Sequence, residues 1–149
     1  MAGRIWFARI AVTFGLLIAG GWGGGTPVRA ELSDEEYKKL RTEATELLHL
    51  RIGEITVIDS KPEMVKYRVE ATVDQVDRSA RGFSRGARLT FDSYYVPMKA
   101  RNGYTGPESP PQLYPGWTGW IFLGKSKAGN GLEPAAHGRS FHYSYDLKP

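Results

Sequence analysis

Two stretches of the chain alternate regularly between apolar and polar residues. In the first stretch, 65–73, an apolar residue stands at every second position and charged or polar residues stand between. In the second stretch, 87–95, mainly apolar residues stand at every second position and polar residues stand between them. Because successive side chains of a β-strand point to opposite faces, this period predicts two strands, each with one buried and one solvated face.

The segment before these strands has helical spacing instead. Ser33-Asp34-Glu35-Glu36 has the pattern of a capping box, in which Ser33 and Glu36 satisfy each other's backbone N–H groups. The apolar residues that follow recur at intervals typical of one helix face: Tyr37, Leu40, Ala44, Leu47 and Leu48. The spacing predicts an amphipathic helix over about 34–49, which either packs on its own domain or docks on a partner.

Three further strands and three loops complete the predicted secondary structure. From Leu48 the period becomes two, and its phase changes at Gly53, which predicts a strand with a bulge or sharp bend there. The apolar patterns of 117–123 and 141–147 predict the fourth and fifth strands. Polar, glycine-rich or proline-rich composition predicts loops over 77–86, 96–116 and 124–138.

Together these elements favour an all-β fold. Five strands, one of them bent, without any βαβ unit predict a small five-stranded antiparallel OB-like barrel with one N-terminal amphipathic helix. We expect one domain over 31–149, with the helix at about 34–49 and the barrel over about 50–149. A β-sandwich is disfavoured, because it usually needs about seven strands.

Two groups of segments resemble a known family. The pair Tyr67–Val73 and Gly86–Phe91 looks like the paired strands of netrin-like (NTR/TIMP-type) OB-fold modules, and the later segments resemble the rest of that pattern: Pro115-Gly116, Trp120–Leu123 and Gly138–Phe141. The resemblance implies an OB-like fold and a binding role. Eukaryotic members carry paired cysteines and inhibit proteases by chelating metal through an N-terminal cysteine. This chain has no cysteine, so the resemblance does not extend to that activity.

The first thirty residues have the three-part pattern of a secretory signal peptide. Arg4 and Arg9 precede the apolar run 10–19, and a glycine-rich stretch leads to Val28-Arg29-Ala30, which fits a cleavage site. The run is shorter than the roughly 20 apolar residues of a membrane-spanning helix. We therefore expect 1–30 to be a leader and the rest to be periplasmic or secreted. The alternative is an uncleaved N-terminal anchor, which also places the domain outside the cytoplasm.

The leader changes how the charge is interpreted. The whole chain has 20 Lys and Arg against 16 Asp and Glu, a net charge of +4, and three arginines lie in the leader. Without them, 17 basic residues face 16 acidic ones, so the charge balance gives no support for nucleic-acid binding. The missing cysteine excludes disulfides and thiolate chemistry. An exported protein without cysteine indicates a bacterial origin.

Positive charge is nevertheless concentrated in one predicted loop and the strand after it. Six basic residues and one acidic residue give 78–101 a charge of +5. The first candidate binding surface consists of four arginines and an aromatic residue that we expect to be exposed: Arg78, Arg81, Phe83, Arg85 and Arg88. Such a loop suits an anionic polymer, a lipid head group or an acidic protein partner. The alternative is a solvated loop that keeps a hairpin soluble.

The proline-rich segment supplies a second candidate surface. Tyr104, Tyr114 and Trp117 are interleaved with Gly and Pro, and flat rings on rigid loops suit sugar faces or proline-rich peptides. We expect Tyr114 and Trp117 to be exposed and Trp120 to belong to the core. The alternative is that the loop aromatics cover an open end of the barrel.

No recognised motif predicts catalysis, a metal or a cofactor. The sequence contains no G-x-S-x-G, H-E-x-x-H, P-loop or dinucleotide-binding signature, and the set His137, His142 and Asp146 fits no metal-binding spacing. The sequence favours a non-enzymatic binding or assembly module of the cell envelope that recognises a protein or polyanionic partner through its loops. One alternative is a small carbohydrate-acting hydrolase, for which the aromatic loop offers only Glu108 as an acid. Another is a subunit of an envelope complex that docks by its N-terminal helix.

Overall fold

One antiparallel sheet organises the fold of residues 31–142, which a computed structural model describes. The predicted signal peptide, 1–30, and the segment 143–147 of the predicted fifth strand lie outside these residues. In chain order the elements are α1 (Asp34–Glu43), β1 (Glu46–Lys61), β2 (Met64–Ser79), β3 (Arg88–Tyr95), α2 (Met98–Arg101), β4 (Thr118–Lys125), β5 (Leu132–Pro134), a 3-10 turn (His137–Ser140) and β6 (Phe141–His142).

The sheet is curved. Its six strands follow the order β3-β2-β1-β4-β5, with β6 also paired to β4, and every pair is antiparallel. Strands β3 and β5 stand at opposite ends of this order, yet they contact each other. Within 31–142 these two strands are not paired by hydrogen bonds, so the sheet is not closed into the predicted barrel. Because its end strands lie near each other, the sheet must curl, and its inner face surrounds the main core.

Strands β1 and β2 form one long hairpin with several irregularities. Their register shifts between Ile52 and Ile55, so the bulge predicted at Gly53 is confirmed. A Cβ atom at Gly53 would stand 3.2 Å from the carbonyl oxygen of Glu70, closer than most such contacts. Glycine therefore allows the two backbones to approach at the bulge.

The strict alternation of the β2 and β3 sequences is confirmed as strand structure. The apolar side of β2 is buried, and its polar side is more exposed. The main core contains the inward residues of several strands and two residues of the proline-rich segment: Leu48, Leu50, Ile52, Tyr67, Val69, Val73, Leu89, Phe91, Leu113, Trp117, Ile121 and Leu123.

The predicted helix is too long, because α1 ends at Glu43 and residues 46–49 belong to β1. Ala44 already has an extended backbone, with ψ of 130°. Leu47 and Leu48 look like part of a helical stripe, but they point to opposite faces of a strand. Leu48 enters the main core, and Leu47 joins a second apolar cluster with Ala44, Trp120 and Phe122. The sheet strands therefore begin at Glu46 rather than at residue 50.

The short helix packs on its own domain. Tyr37 is fully buried, and its hydroxyl oxygen accepts a 2.6 Å hydrogen bond from the backbone N–H of Glu108. The guanidinium of Arg139 lies 4.6 Å from the centre of the Tyr37 ring. The predicted capping box of Ser33 and Glu36 is present, and these hydrogen bonds hold the pKa of the Glu36 carboxyl below its usual value. Within 31–142 no helix has the length and apolarity needed to cross a membrane.

Strand β5 is a structural element that the sequence pattern missed. It lies inside 124–138, which was predicted to be a loop, and pairs with Leu123–Lys125 of β4. Three residues are too few to establish a period, and Pro134 is unfavourable within a sheet. The prediction of a loop over 96–116 agrees better with the structure, since the only regular element in this segment is the four-residue helix α2. This segment and Trp117 are called the proline-rich connection below.

Candidate functional site

A buried carboxylate fixes the connection between β2 and β3, residues 80–87, which is called the β2–β3 loop below. Glu46 is fully buried at the start of β1. Its carboxylate accepts hydrogen bonds from the Ser79 hydroxyl at 2.5 Å and from the Arg81 backbone N–H at 3.3 Å. The Ser79 oxygen in turn accepts one from the Phe83 backbone N–H at 2.8 Å. Buried, hydrogen-bonded polar groups of this kind define one backbone conformation.

Two glycines complete the shape of the β2–β3 loop. Gly82 and Gly86 have φ angles of +74° and +84°, in the left-handed region that favours glycine. Gly86 also donates its backbone N–H to the Val73 carbonyl at 2.7 Å, and Val73 donates to the Ala87 carbonyl at 2.9 Å. The end of the loop is therefore connected to β2 by backbone hydrogen bonds rather than extending freely into solvent.

Two of the four predicted binding arginines hold the fold together. The guanidinium of Arg78 donates hydrogen bonds to the carbonyl oxygens of Arg41 and Thr42, at the C-terminal end of α1. The guanidinium of Arg81 donates to the carbonyl oxygens of Asn130 and Gly131, between β4 and β5, at 2.8 and 3.2 Å. That all four arginines bind a partner stays a prediction, but Arg78 and Arg81 both have internal acceptors and therefore a structural role as well.

The other two arginines keep their charge available. Arg85 and Arg88 are exposed, and the guanidinium group of neither makes a hydrogen bond or ion pair with any residue of 31–142. The strand cation Arg68, in contrast, is paired: its Nε lies 2.8 Å from an Asp92 oxygen, which raises the pKa of Arg68. In the predicted cluster, Arg85 and Arg88 are therefore the residues whose guanidinium groups are available to bind an external anion.

Phe83 stands between two grooves, and Arg85 and Arg88 lie in different ones. The ring is only half exposed, because it packs against the edge of the main core. The expectation that Phe83 is a freely exposed ring is therefore wrong. It forms a wall of both grooves, so an elongated ligand could contact Arg85 and Arg88 on either side of one rigid ring.

The first groove, called the histidine groove below, has a volume of about 610 Å³. Its lining includes two residues of β1, two residues of β2 and one side of the β2–β3 loop: His49, Arg51, Asp74, Val76, Phe83 and Arg85. The second, called the Arg88 groove, has a volume of about 470 Å³. Its lining includes Glu70, Arg81, Phe83, Arg88, Thr90 and Leu132. In each lining two arginines face one acidic residue, so both grooves have an excess of one positive charge, and only the first also contains a histidine.

The strand side of the histidine groove contains an ion pair and an imidazole. The Arg51 Nη2 atom lies 3.2 and 3.1 Å from the two carboxylate oxygens of Asp74. The His49 Nδ1 atom lies 3.8 Å from one of these oxygens, beyond hydrogen-bond distance. That nitrogen is buried and has no hydrogen-bond partner among residues 31–142, while the His49 ring meets the Trp120 ring edge-on at 5.4 Å between centroids.

Sequence reasoning missed these strand residues as well as Glu46. The predicted helix ends at about residue 49 and the alternating stretch ends at residue 73, so no sequence pattern links His49 with Asp74. The signal that could have found them is register. If residues 46–52 are assigned to a strand, His49 and Arg51 share the face opposite to Leu48 and Leu50, and the hairpin brings that face beside Asp74.

The aromatic residues of the proline-rich connection do not form a common surface. Trp117 is only 2% exposed and lies in the main core, so the expectation that it is exposed is wrong. Its backbone pairs with Ile52, whose N–H donates to the Trp117 carbonyl at 2.8 Å. Tyr104 is half-buried with its ring against Gly106. Only Tyr114 has the expected exposure, at 61%. Trp120 is buried, as expected.

The acid expected near these rings is already paired. The Glu108 carboxylate lies 3.0 Å from the Arg139 Nε atom, and Arg139 also pairs with Asp34. The buried Trp117 ring therefore offers no sugar platform beside Glu108. The carbohydrate-acting alternative loses the exposed aromatic surface on which it depended.

The remaining histidines are engaged separately. The Nδ1 atom of His137 lies 2.9 Å from the Tyr94 hydroxyl, and Nε2 of His142 lies 3.1 Å from the Arg139 carbonyl oxygen. Burial lowers the pKa of His142. Asp146 lies outside the described residues. Within 31–142 no three His, Cys, Asp or Glu side chains are grouped as metal ligands would be.

Comparison with known proteins finds no match among family models, characterised proteins or solved structures. The geometry of the two grooves and the β2–β3 loop is therefore the basis for a functional assignment.

Proposed function

We propose that this protein is a non-enzymatic binding module that holds a polyanionic partner on its β2–β3 loop. The partner's anionic groups contact Arg85 in the histidine groove and Arg88 in the Arg88 groove, and its backbone crosses Phe83. The observation that carries the proposal is that these two guanidinium groups make no hydrogen bond or ion pair within 31–142. An arginine without an internal acceptor has all its donors available for phosphate, sulfate or carboxylate oxygens.

The fixed shape of the loop supports the same proposal. Glu46, Arg81 and the two glycines hold the backbone before any ligand arrives. A preorganised loop loses less conformational freedom on binding than a flexible one, and this improves affinity for a given set of contacts. The grooves are open and partly apolar, which suits one segment of a long polymer better than complete enclosure of a small molecule.

We propose the cell envelope of a bacterium as the place where the module acts. The support is the three-part pattern of residues 1–30, which is typical of a secretory leader. An exported protein in that compartment meets anionic polymers, phospholipid head groups and acidic proteins. Of these partners an anionic polymer fits best, because Arg85 and Arg88 stand on two sides of one ring.

We further propose that the curved sheet is an OB-like barrel of the netrin-like kind without cysteines. The strand order β3-β2-β1-β4-β5 and the contact between β3 and β5 support this assignment. OB folds commonly bind elongated polymers along their strands and loops. The binding proposal rests on Arg85 and Arg88 and does not depend on this comparison.

The test measures binding of a fluorescently labelled dextran sulfate to the purified protein by fluorescence anisotropy. Sulfate esters stay ionised across the neutral range, so the probe presents constant charge. The double variant R85S/R88S removes both proposed contacts. We expect its dissociation constant to rise at least about tenfold, since each lost charge-assisted contact weakens binding severalfold.

A matched control separates the proposed site from a simple effect of net charge. Lys38 and Lys99 are exposed and have no side-chain partner within 31–142, and K38S/K99S also removes two charges. We expect this variant to bind within about twofold of the unmodified protein at moderate salt, because screening limits distant charges. Equal weakening of both double variants, or no binding by the unmodified protein, would overturn the proposal.

A further inference from the structure

His49 belongs to the histidine groove although its nearest charged neighbours belong to the strands. Its side chain is 22% exposed, so part of the ring reaches the groove while Nδ1 is buried. Arg85 lines the same groove. An anionic group bound to Arg85 therefore lies in the same concave space as the imidazole. This places a titratable side chain beside the proposed ligand contact.

The charges around His49 come from three parts of the fold. Asp74 belongs to β2, Arg51 to β1 itself and Arg85 to the β2–β3 loop. From β4 the side chain that meets the ring is the uncharged Trp120. Asp74 favours a positive imidazole, whereas Arg51 and Arg85 oppose it. Asp74 is already paired with Arg51. A further anion bound in the groove adds negative charge and shifts the balance toward a positive imidazole.

The buried Nδ1 atom makes the two protonation states of His49 structurally different. Nδ1 has no hydrogen-bond partner within 31–142 and lies 3.8 Å from Asp74, so in this geometry the neutral ring makes no hydrogen bond with the carboxylate, whichever nitrogen carries its one N–H. A protonated ring has a donor at both nitrogens. A small rotation of the imidazole ring would then let Nδ1–H approach Asp74. The positive charge of the ring also raises the electrostatic potential of the histidine groove. The groove is therefore a better anion site when His49 carries its second proton.

Resting on the proposed function, we infer that His49 is a third cation of the anion site. An anionic polymer bound at Arg85 is held more tightly as the pH falls, because His49 takes up a proton when the ligand binds. The ligand class is a polymer with phosphate, sulfate or carboxylate groups. Histidine suits this role because it is the side chain that changes charge nearest to neutral pH. By linkage, a ligand that prefers the protonated site must promote protonation.

The first experiment measures dextran sulfate affinity at about pH 8 and about pH 5.5, the range in which histidine titrates. The probe's charge is constant in this range, so a change in affinity comes from the protein. We expect binding about twofold to fivefold tighter at the lower pH, the effect of one additional exposed charge contact. The variant H49Q should bind as the unmodified protein does at high pH and should lose the increase at low pH.

His142 provides the matched control. It is a half-buried histidine outside the groove lining, and its pKa is lowered by burial. The variant H142Q should keep the pH dependence of binding. If H49Q keeps the full increase at low pH, or if H142Q alone loses it, the inference about His49 is wrong.

A second measurement needs no substitution of His49. The imidazole signals of the unmodified protein are followed by NMR through a pH titration, with and without dextran sulfate. We expect the midpoint of the His49 titration to move upward when the ligand is present, whereas His142 changes little. An unmoved His49 midpoint together with intact binding at Arg85 and Arg88 overturns this inference alone. If R85S/R88S binds dextran sulfate as tightly as the unmodified protein does, the proposed function itself is overturned.

Discussion

The β2–β3 loop and the proline-rich connection have similar sequence signals, but their side chains are used in opposite ways. Both are long, rich in turn-forming residues and interspersed with residues suited to binding. Arg85 in the loop and Arg88 directly after it, at the start of β3, remain exposed, and each shares a groove with Phe83. In the connection, Trp117 is buried in the main core and Tyr104 is half-buried. One segment keeps its chemistry at the surface, and the other contributes it to stability.

The difference follows from what each segment packs against. The proline-rich connection ends where β4 begins, and its backbone pairs with Ile52 at the centre of the sheet. A large ring at that position fills the space inside the curved sheet. The β2–β3 loop packs on the buried carboxylate of Glu46, which needs hydrogen-bond donors. Backbone N–H groups satisfy it, and the loop side chains are left for solvent or a partner.

The largest expected effect sharpens the comparison within the proline-rich connection. W117A should lower the free energy of unfolding by about 4 kcal/mol, because it removes a buried aromatic ring and leaves a cavity. Y114A, at an exposed position three residues earlier, should change it by less than about 0.5 kcal/mol. Urea denaturation followed by circular dichroism measures both values. Similar losses in the two variants would mean that burial does not distinguish these rings.

The next effect tests whether Glu46 positions the β2–β3 loop. E46A removes the acceptor for the Ser79 hydroxyl and the Arg81 backbone N–H, so we expect a loss of about 2 kcal/mol in the free energy of unfolding. Dextran sulfate binding should also weaken, although Arg85 and Arg88 are unchanged. E46Q keeps an amide oxygen as an acceptor and should fall between E46A and the unmodified protein in both measurements. Full affinity in a destabilised E46A protein would contradict a positioning role.

A smaller effect separates the arginines of the loop from one another. R81S removes guanidinium hydrogen bonds to Asn130 and Gly131, and we expect it to cost about 1 kcal/mol of unfolding free energy. R85S removes no contact within 31–142 and should cost less than about 0.5 kcal/mol while weakening anion binding. Thermal or urea unfolding measures the first difference, and the anisotropy titration measures the second. A reversed order of stability would show that the two side chains have been assigned the wrong roles.

Much of the sheet could be predicted because its strands have two unlike faces. The alternation in 65–73 identifies β2, since one face of that strand enters the core and the other meets solvent. The start of β1 could not be recognised in this way. Leu47 and Leu48 are both buried, on opposite faces of the sheet, and adjacent apolar residues are equally compatible with a helical stripe. Strand β5 is too short to have a period.

The candidate site could be predicted only in part, because its decisive contacts are distant in sequence. The carbonyl groups that bind Arg78 and Arg81 come from the end of α1 and from the turn before β5. Nothing local marks these two arginines as different from Arg85 and Arg88. The burial of Trp117 likewise depends on pairing with Ile52, far earlier in the chain. Composition located the charged segment, and long-range packing decided which of its side chains are available.

The most direct test of the account is an NMR titration of the isotope-labelled protein with dextran sulfate, because it compares the two segments in one experiment. We expect shifts of the backbone signals of 83–88 and of the side-chain N–H signals of Arg85 and Arg88. Signals of the proline-rich connection, including those of Tyr104 and Tyr114, should stay unchanged. Shifts concentrated in that connection, with the β2–β3 loop unaffected, would contradict the central claim that the loop is the binding surface.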